Sequence, residues 1–104
     1  MKNGLVVDAN GNRAWYLNNQ LHREDGPAID WANGTKSWYL NNNRHRSDGP
    51  AVEYVDGSRE WYLNNKRHRT DGPAVEHANG LKKWFLNGEQ VDPIVHFVRS
   101  KEFV

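Results

Sequence analysis

The chain has 104 residues, of which 37% are hydrophobic and 12% aromatic, and its formal net charge is +1 at pH 7. That length predicts a single domain with little core to spare, so the aromatic residues must supply much of the buried area. The near-zero charge excludes a global field that would draw the chain to DNA or to an anionic membrane. The absence of Cys excludes disulfides, thiolate zinc sites and Cys nucleophiles.

The first twelve residues, MKNGLVVDANGN, contain no apolar core long enough for a signal peptide. No segment of the chain has the run of roughly 20 apolar residues that a membrane-spanning helix needs. We therefore expect no membrane span and a cytoplasmic location.

A long sequence motif, WYLNN-x-x-HR-x-DGPA, occurs three times at a step of 23 residues, in residues 15–28, 38–51 and 61–74. A fixed period of this length is typical of stacked supersecondary units. We predict a cap strand in residues 1–9, repeats in residues 10–32, 33–55 and 56–78, and a partial repeat in residues 79–92.

Each unit is predicted to contain two strands and two turns. The first turns carry the strongest two-residue hairpin signals, Asn-Gly or Asp-Gly, at residues 10–11, 33–34, 56–57 and 79–80. The second turns carry Asn-Asn pairs, which tolerate left-handed backbone geometry, at residues 18–19, 41–42 and 64–65. The fold class expected is mostly β, a meandering antiparallel single-layer sheet of tandem 23-residue hairpin repeats.

Pairing outward from a two-residue turn at residues 33–34 predicts the register of the strands. It places Trp31 opposite Lys36 and Ile29 opposite Trp38. The same register sets three valines against tryptophans: Val6 and Trp15, Val52 and Trp61, and Val75 and Trp84. Because side chains alternate along a strand, the Trp, Leu and Val/Ile positions would share one face, which we predict to be the core.

After the last repeat, Asp92 and Pro93 are typical of a helix N-cap and first helical position. We predict a short C-terminal capping helix in residues 93–103. Its apolar stripe, Ile94, Phe97, Val98 and Phe103, would cover the exposed end or open face of the sheet.

The turns and the 23-residue step resemble the MORN repeat, a β-hairpin unit with an aromatic residue followed by N-G-K-x-H-G-x-G. The stretch WYLNNKRHRTDGPAVEHANG carries the likeness through residues 64–65, His68, Gly72 and residues 79–80. The chain departs from that pattern at Arg23, Arg46 and Arg69, where MORN has glycine, and at the Asp-Gly-Pro-Ala link.

This HR-x-DGPA variant resembles repeat proteins of bacteriophages and large DNA viruses, and bacterial MORN-variant antitoxins. The resemblance implies a protein-interaction or assembly module. It also implies, as one hypothesis, an inhibitor of a bacterial toxin or defence protein.

The repeated polar columns are interpreted as turn bracing. They are His22, His45 and His68, then Arg23, Arg46 and Arg69, then Asp25, Asp48 and Asp71. Equivalent residues of neighbouring units should lie about 9–10 Å apart at about 4.8 Å per strand. Zinc–nitrogen bonds are roughly 2.0–2.1 Å long, so one ion cannot collect histidines from two units. We predict no catalytic residue, no metal ligand and no cofactor.

The variable positions are the predicted partner-binding residues. The basic residues Arg13, Lys36, Arg59 and Lys82 are expected opposite Asp8, Trp31, Tyr54 and His77. Cation–π pairs between Lys36 and Trp31 and between Arg59 and Tyr54 would shield the hairpin ends or form a basic-aromatic stripe. Such a stripe can also hold nucleic acid or an anionic ligand, which is the alternative interpretation.

A second aromatic row, which includes Tyr39 and Tyr62, is expected on the face away from the tryptophans. One short helix cannot cover both faces, so one row must curl inward or meet a partner. The leading prediction is therefore a non-enzymatic module that binds another protein. Open sheet edges also lead us to expect homodimerisation, and a structural self-assembly unit is the third interpretation.

Overall fold

A computed structural model describes residues 2–103, which form a flat, elongated body of 45 × 29 × 18 Å. The strands are β1 (Gly4–Val7), β2 (Arg13–Leu17), β3 (Gln20–Leu21), β4 (Ile29–Asp30), β5 (Lys36–Ser37), β6 (Tyr39–Leu40), β7 (Asn43–Arg44), β8 (Val52–Glu53), β9 (Arg59–Glu60), β10 (Tyr62–Leu63), β11 (Lys66–Arg67), β12 (Val75–Glu76), β13 (Lys82–Leu86) and β14 (Glu89–Val91). The helix α1 (Pro93–Arg99) and a 3-10 helical turn (Ser100–Phe103) follow.

The main sheet is an antiparallel meander in the order β1-β2-β4-β5-β8-β9-β12-β13-β14, with β3 paired to β2. The predicted mostly-β meander of hairpins with one short C-terminal helix is confirmed. The strand pairing is not continuous along each hairpin, however. Pairing is interrupted for one residue at Trp38 and at Trp61, and beyond these points β6–β7 and β10–β11 pair as two-stranded ribbons. Backbone hydrogen bonds from Asn42 N to Leu21 O and from Asn65 N to Arg44 O connect each ribbon to the preceding one.

The first kind of turn does not have the geometry that its dipeptides predict. In the first kind, Gly34 N donates to Trp31 O at 2.9 Å and Trp31 N donates to Thr35 O at 2.9 Å. Gly34 has φ +98° and Asn33 is not in the left-handed region. This is a three-residue loop with a glycine bulge, whereas a two-residue type I′ turn needs positive φ at both central residues.

Positive φ at both central residues is found instead in the second turns. Asn41 has φ 50° and Asn42 has φ 68°, and they connect the paired residues Leu40 and Asn43. The prediction of left-handed geometry at the Asn-Asn pairs is therefore confirmed.

The extra loop residue makes the predicted register wrong by one position. Ile29 pairs with Ser37 and Asp30 pairs with Lys36, so neither Trp31 nor Trp38 has the predicted partner. The valines predicted opposite tryptophans pair elsewhere: Val6 with Ala14, Val52 with Glu60, and Val75 with Lys83. A slip of one residue moves a whole set of side chains to the other face.

The core consequently includes the row that the sequence assigned to the outer face. One cluster joins Ala51, Val52 and Tyr62, with Trp38 packed against it. A second joins Ala74, Val75 and Phe85, with Trp61 packed against it. Each cluster thus combines a fully buried alanine with a buried aromatic ring.

Helix α1 begins where the sequence predicted it, because Asp92 Oδ1 accepts from Val95 N at 2.9 Å and Pro93 occupies the first turn. The predicted covering stripe is wrong. Ile94 is 78% exposed and Phe97 is 65% exposed, whereas His96 is 4% exposed. His96 Nε2 lies 2.5 Å from the carbonyl oxygen of Arg69, so this nitrogen donates a hydrogen bond to the loop that follows β11.

Candidate functional site

A row of alternating charges crosses one face of the main sheet. Successive pairings join Arg13, Asp30, Lys36, Glu53, Arg59, Glu76 and Lys82. Arg13 Nη2 lies 2.8 Å from Asp30 Oδ2, and Lys36 Nζ lies 3.6 Å from Asp30 Oδ1. The Arg13 guanidinium is the largest cause that lowers the pKa of Asp30 below its ordinary value, and Lys36 adds to it. The row is thus close to electrically neutral.

This row replaces the predicted basic-aromatic stripe. Lys36 lies beside a carboxylate and not beside Trp31, and Arg59 pairs with Glu76 and not with Tyr54. Lys82 is paired in register with Glu76. The predicted Lys36–Trp31 and Arg59–Tyr54 contacts are wrong because the three-residue loops shift the register.

The repeated arginines form a second structural feature on the tryptophan side. The guanidinium carbons of Arg23, Arg46 and Arg69 each lie 3.9 Å from the ring centroid of Trp15, Trp38 and Trp61, respectively. Each Nε donates to the aspartate two residues later, Asp25, Asp48 or Asp71, at 2.9–3.0 Å. Each Nη1 also donates to the proline carbonyl that follows, at 3.0–3.2 Å. Shallow grooves of about 460 and 540 Å³ lie between the arginine clusters of neighbouring units.

The repeated histidines connect neighbouring units. Nδ1 of His22, His45 and His68 accepts from the backbone N–H of Asn41, Asn64 and Asn87, at 3.1, 3.0 and 2.8 Å. Each acceptor lies 19 residues before its donor, so each histidine braces the left-handed turn of the following unit. Among residues 2–103, no three His, Asp or Glu side chains are grouped closely enough to hold a metal ion.

The variable column that begins with Trp31 lies on the opposite face from the charge row. Trp31 is 41% exposed and Tyr54 is 40% exposed. His77 occupies the same column one unit later, and its backbone closes the loop to Leu81. Tyr39 is half-buried, while Tyr62 is 8% exposed and belongs to the core.

Glu60 lies at the centre of a polar cluster on this face. Its carboxylate accepts from the Tyr54 hydroxyl at 3.0 Å and from the Tyr62 hydroxyl at 2.8 Å. Arg67 Nη2 lies 3.4 Å from the same carboxylate. Burial, followed by the charge of Glu60, raises the pKa of Tyr54 to about 12. Burial and the hydrogen bond to Glu60 also raise the pKa of Tyr62. Both phenols are therefore donors at neutral pH.

Arg44 is a residue that the sequence reasoning missed. Its guanidinium carbon lies 5.8 Å from the Tyr39 ring and 5.4 Å from the Tyr62 ring. Arg67 continues the stack between the rings of Tyr62 and Phe85, at 5.7 and 5.4 Å. The repeat alignment contained a signal, since this column holds Leu21, Arg44, Arg67 and Gln90 while the column after it holds histidine in three of the four units.

A depression of about 310 Å³ opens beside Arg44. Its lining includes Trp31, Ser37, Tyr39, Arg44 and Tyr54. On the other side of the same arginine, a wider groove of about 680 Å³ reaches β11 and β14. The depression thus combines exposed aromatic rings with a cation, which is a composition typical of protein-binding surfaces.

Comparison of the chain with protein-family models gave no match, and comparison with curated proteins gave no match. In the part of the chain that the structure describes, no helix is long and apolar enough to cross a membrane.

Proposed function

We propose that the chain is a non-enzymatic MORN-like module that binds another protein through the face around Trp31, Tyr39, Arg44 and Tyr54. The observation that carries the proposal is that the half-exposed rings of Trp31 and Tyr54 both line the depression beside Arg44. Trp, Tyr and Arg are the residues enriched where truncation costs most binding energy.

The opposite face, which carries the row of alternating charges, is less suited to a partner whose charges all have the same sign. The cations predicted to bind a partner there, Lys36, Arg59 and Lys82, are each paired across strands with a carboxylate. Nucleic-acid binding through counterion release needs several cations that are free to meet phosphates. A protein partner on the aromatic face is therefore the better-supported proposal.

The test places a photo-crosslinking amino acid at position 31 or 54, with matched insertions at positions 36 and 59 on the charged face. We expect positions 31 and 54 to give one crosslinked protein of defined stoichiometry, and the double variant Trp31→Ala/Tyr54→Ala to lose its capture. Equal crosslinking from both faces, or salt-sensitive capture of an oligonucleotide, would contradict the proposal.

We propose further that the partner is a bacterial toxin or defence protein that the chain blocks. This proposal rests on the resemblance of the HR-x-DGPA variant to phage repeat proteins and bacterial antitoxins. Co-expression with the captured protein should restore growth of cells that the partner alone arrests. Persistent arrest, with the complex formed, would reject the inhibitory role while leaving the binding role in place.

A specific observation also favours self-assembly as a second candidate function. Helix α1 exposes Ile94, Phe97 and Val98, and β1 ends the strand order with only β2 beside it. Exposed apolar surface and unpaired strand edges both promote association. Light scattering over a range of concentrations should show a dimer that Phe97→Glu dissociates; a monomer at every concentration would exclude it.

A further inference from the structure

The chain contains its own example of a carboxylate bound on the aromatic face. Glu60 receives hydrogen bonds from the hydroxyls of Tyr54 and Tyr62 and lies 3.4 Å from Arg67. Two phenol donors and a guanidinium match the lone pairs of a carboxylate, and charge-assisted hydrogen bonds of this kind are the strong ones.

One unit earlier, the same arrangement lacks its carboxylate. The residues 23 positions before Glu60, Tyr62 and Arg67 are Ser37, Tyr39 and Arg44. Arg44 therefore retains the cation while Ser37, with a much shorter side chain, stands in the place of the acid. Ser37 and Glu60 both pair with Val52, from opposite sides, so they occupy one row of the sheet.

Arg44 shows the consequence of this substitution. Within residues 2–103 it forms no ion pair with any carboxylate, and its Nε is buried without a hydrogen-bond partner. The depression of about 310 Å³ lies at this arginine, bounded by Trp31, Ser37, Tyr39 and Tyr54. Buried side-chain donors usually have a partner, and an exception needs an explanation.

We propose that this depression, the Arg44 pocket, binds a carboxylate supplied by a Glu or Asp side chain of a protein partner. The partner's carboxylate would take the place that Glu60 holds one unit later. That the carboxylate belongs to a protein rests on the proposed protein-binding function. That the pocket accepts a carboxylate rests on the comparison of the second unit with the third. The indole N–H of Trp31 stands in the column of Tyr54, and the hydroxyl of Tyr39 in that of Tyr62.

The fourth unit supports the pairing of these columns. Where Glu60 and Arg67 stand in the third unit, the fourth unit has Lys83 and Gln90, and Phe85 replaces the phenol of Tyr62. There the acid, the cation and the hydroxyl are all absent together. Only the second unit keeps the cation and the hydroxyl without the acid.

The direct test titrates the folded chain with N-acetyl-glutamate amide, which carries one side-chain carboxylate. N-acetyl-glutamine amide is the neutral control probe. The ¹⁵N–¹H resonance of Arg44 Nε and the fluorescence of Trp31 report occupancy. We expect a saturable shift with the first probe and none with the second. An equal response to both probes, or no shift up to the solubility limit, would overturn the proposal.

Variants separate the pocket from general charge effects. Arg44→Gln copies the residue that stands at position 90 and should weaken probe binding by about tenfold or more, since it removes the charged donor. Lys66→Gln removes the same charge from a neighbouring exposed residue and should leave binding unchanged. Equal losses in the two variants would show only a nonspecific electrostatic effect and would reject the pocket.

Exchanging the residues at equivalent positions of the second and third units should remove carboxylate binding in one variant and create it in another. Ser37→Glu should supply an internal carboxylate and abolish probe binding, while Glu60→Ser should create a second binding step at Arg67. Each variant is first checked for folding by circular dichroism; if Ser37→Glu does not fold, the Arg44→Gln and Lys66→Gln pair still decides. Tighter binding of inorganic phosphate than of the carboxylate probe would overturn the choice of a carboxylate.

The outcomes distinguish this inference from the proposed function. Probe binding without any partner capture through Trp31 and Tyr54 would reject the proposed function and retain the pocket. Partner capture that needs Trp31 and Tyr54 but is unaffected by Arg44→Gln would retain the function and reject the pocket.

Discussion

The guanidinium of Arg69 stacks 3.9 Å from the ring centroid of Trp61 and lies directly over the backbone of the following turn. The same arginine donates to Asp71 and to the carbonyl of Pro73. One planar cation therefore joins an aromatic ring, a carboxylate and the turn between two strands, which explains why the Asp-Gly-Pro-Ala link accompanies each arginine.

Gly72→Ala should destabilise the fold by about 1–3 kcal/mol, a typical cost of overpacking. A Cβ atom at position 72 would lie 2.8 Å from Arg69 Cζ, so the guanidinium would have to leave the Trp61 ring. The free energy of unfolding in urea measures the effect. In an Arg69→Ala background the same Gly72→Ala change should cost much less, because the clashing group is gone. Equal costs in the two backgrounds would show that the guanidinium is not the reason for glycine.

His45→Ala should open the turn at Asn64 without unfolding the chain. The imidazole Nδ1 accepts from Asn64 N at 3.0 Å, and a typical hydrogen bond contributes about 0.5–1.5 kcal/mol. Hydrogen exchange should accelerate at the Asn64 amide and stay unchanged at the Asn41 amide, which is bonded to His22. Unchanged protection of Asn64 in the variant would mean that His45 does not brace the turn.

Stability should fall as the pH is lowered from about neutral, partly because of His68. Burial, and then the nearby charge of His96, lowers the pKa of His68 below its ordinary value of 6.5. The unfolded chain therefore binds this proton more readily than the folded chain, so stability is full above pH 6.5 and is lost as the pH falls toward the lowered folded pKa.

The midpoints of urea unfolding, measured from about pH 8 to about pH 5, test this dependence, because histidine titrates in that range. His68→Gln should flatten the curve, because the variant has no group at this position to protonate. The Phe103 ring, 4.9 Å from the His68 ring, and Asn87 N are the other neighbours that the protonated form would disturb. An unchanged pH dependence in the variant would show that protonation of His68 does not cause the loss of stability.

Arg59→Glu should destabilise the sheet by about 0.2–1 kcal/mol at low salt, the range for cross-strand charge pairs. The change would place three carboxylates in sequence across the row, since Arg59 lies between Glu53 and Glu76. The side chain of Arg59 is 51% exposed, so added salt should screen most of the loss. Lys66→Glu is the matched charge change outside the row and should have little effect; equal losses would argue against the alternating row.

The repeat made much of the fold predictable. Asn41 and Asn42 predicted a left-handed turn because few other residues accept positive φ, and Asp92 with Pro93 predicted the helix start from cap chemistry alone. Asn33 and Gly34 gave a wrong prediction of the turn type, because the same dipeptide fits both a two-residue turn and the bulged end of a three-residue loop. The extra loop residue set Lys36 beside Asp30, and the equivalent loop at residues 56–57 placed Tyr62 on the core face.

The candidate site was predictable only in part. The sequence drew attention to Trp31 and Tyr54 because they vary within a constant repeat, and both line the Arg44 pocket. Arg44 was overlooked, since a cation in a short strand is unremarkable until its neighbours are known. That it has no carboxylate partner within the described residues 2–103 becomes visible only by comparison with Arg67 and Glu60, which lie in another unit of the array.

By itself, the sequence determined the strand-and-turn order, the left-handed asparagines, the helix start and the columns that vary. These properties depend on local backbone preferences and on spacing along the chain. The tertiary structure alone decided the register, the buried face, the row of alternating charges and the position of Arg44, which has no carboxylate partner among residues 2–103. Those properties depend on which side chains meet across strands and across units, and one residue of difference in a loop is enough to exchange the two faces of a sheet.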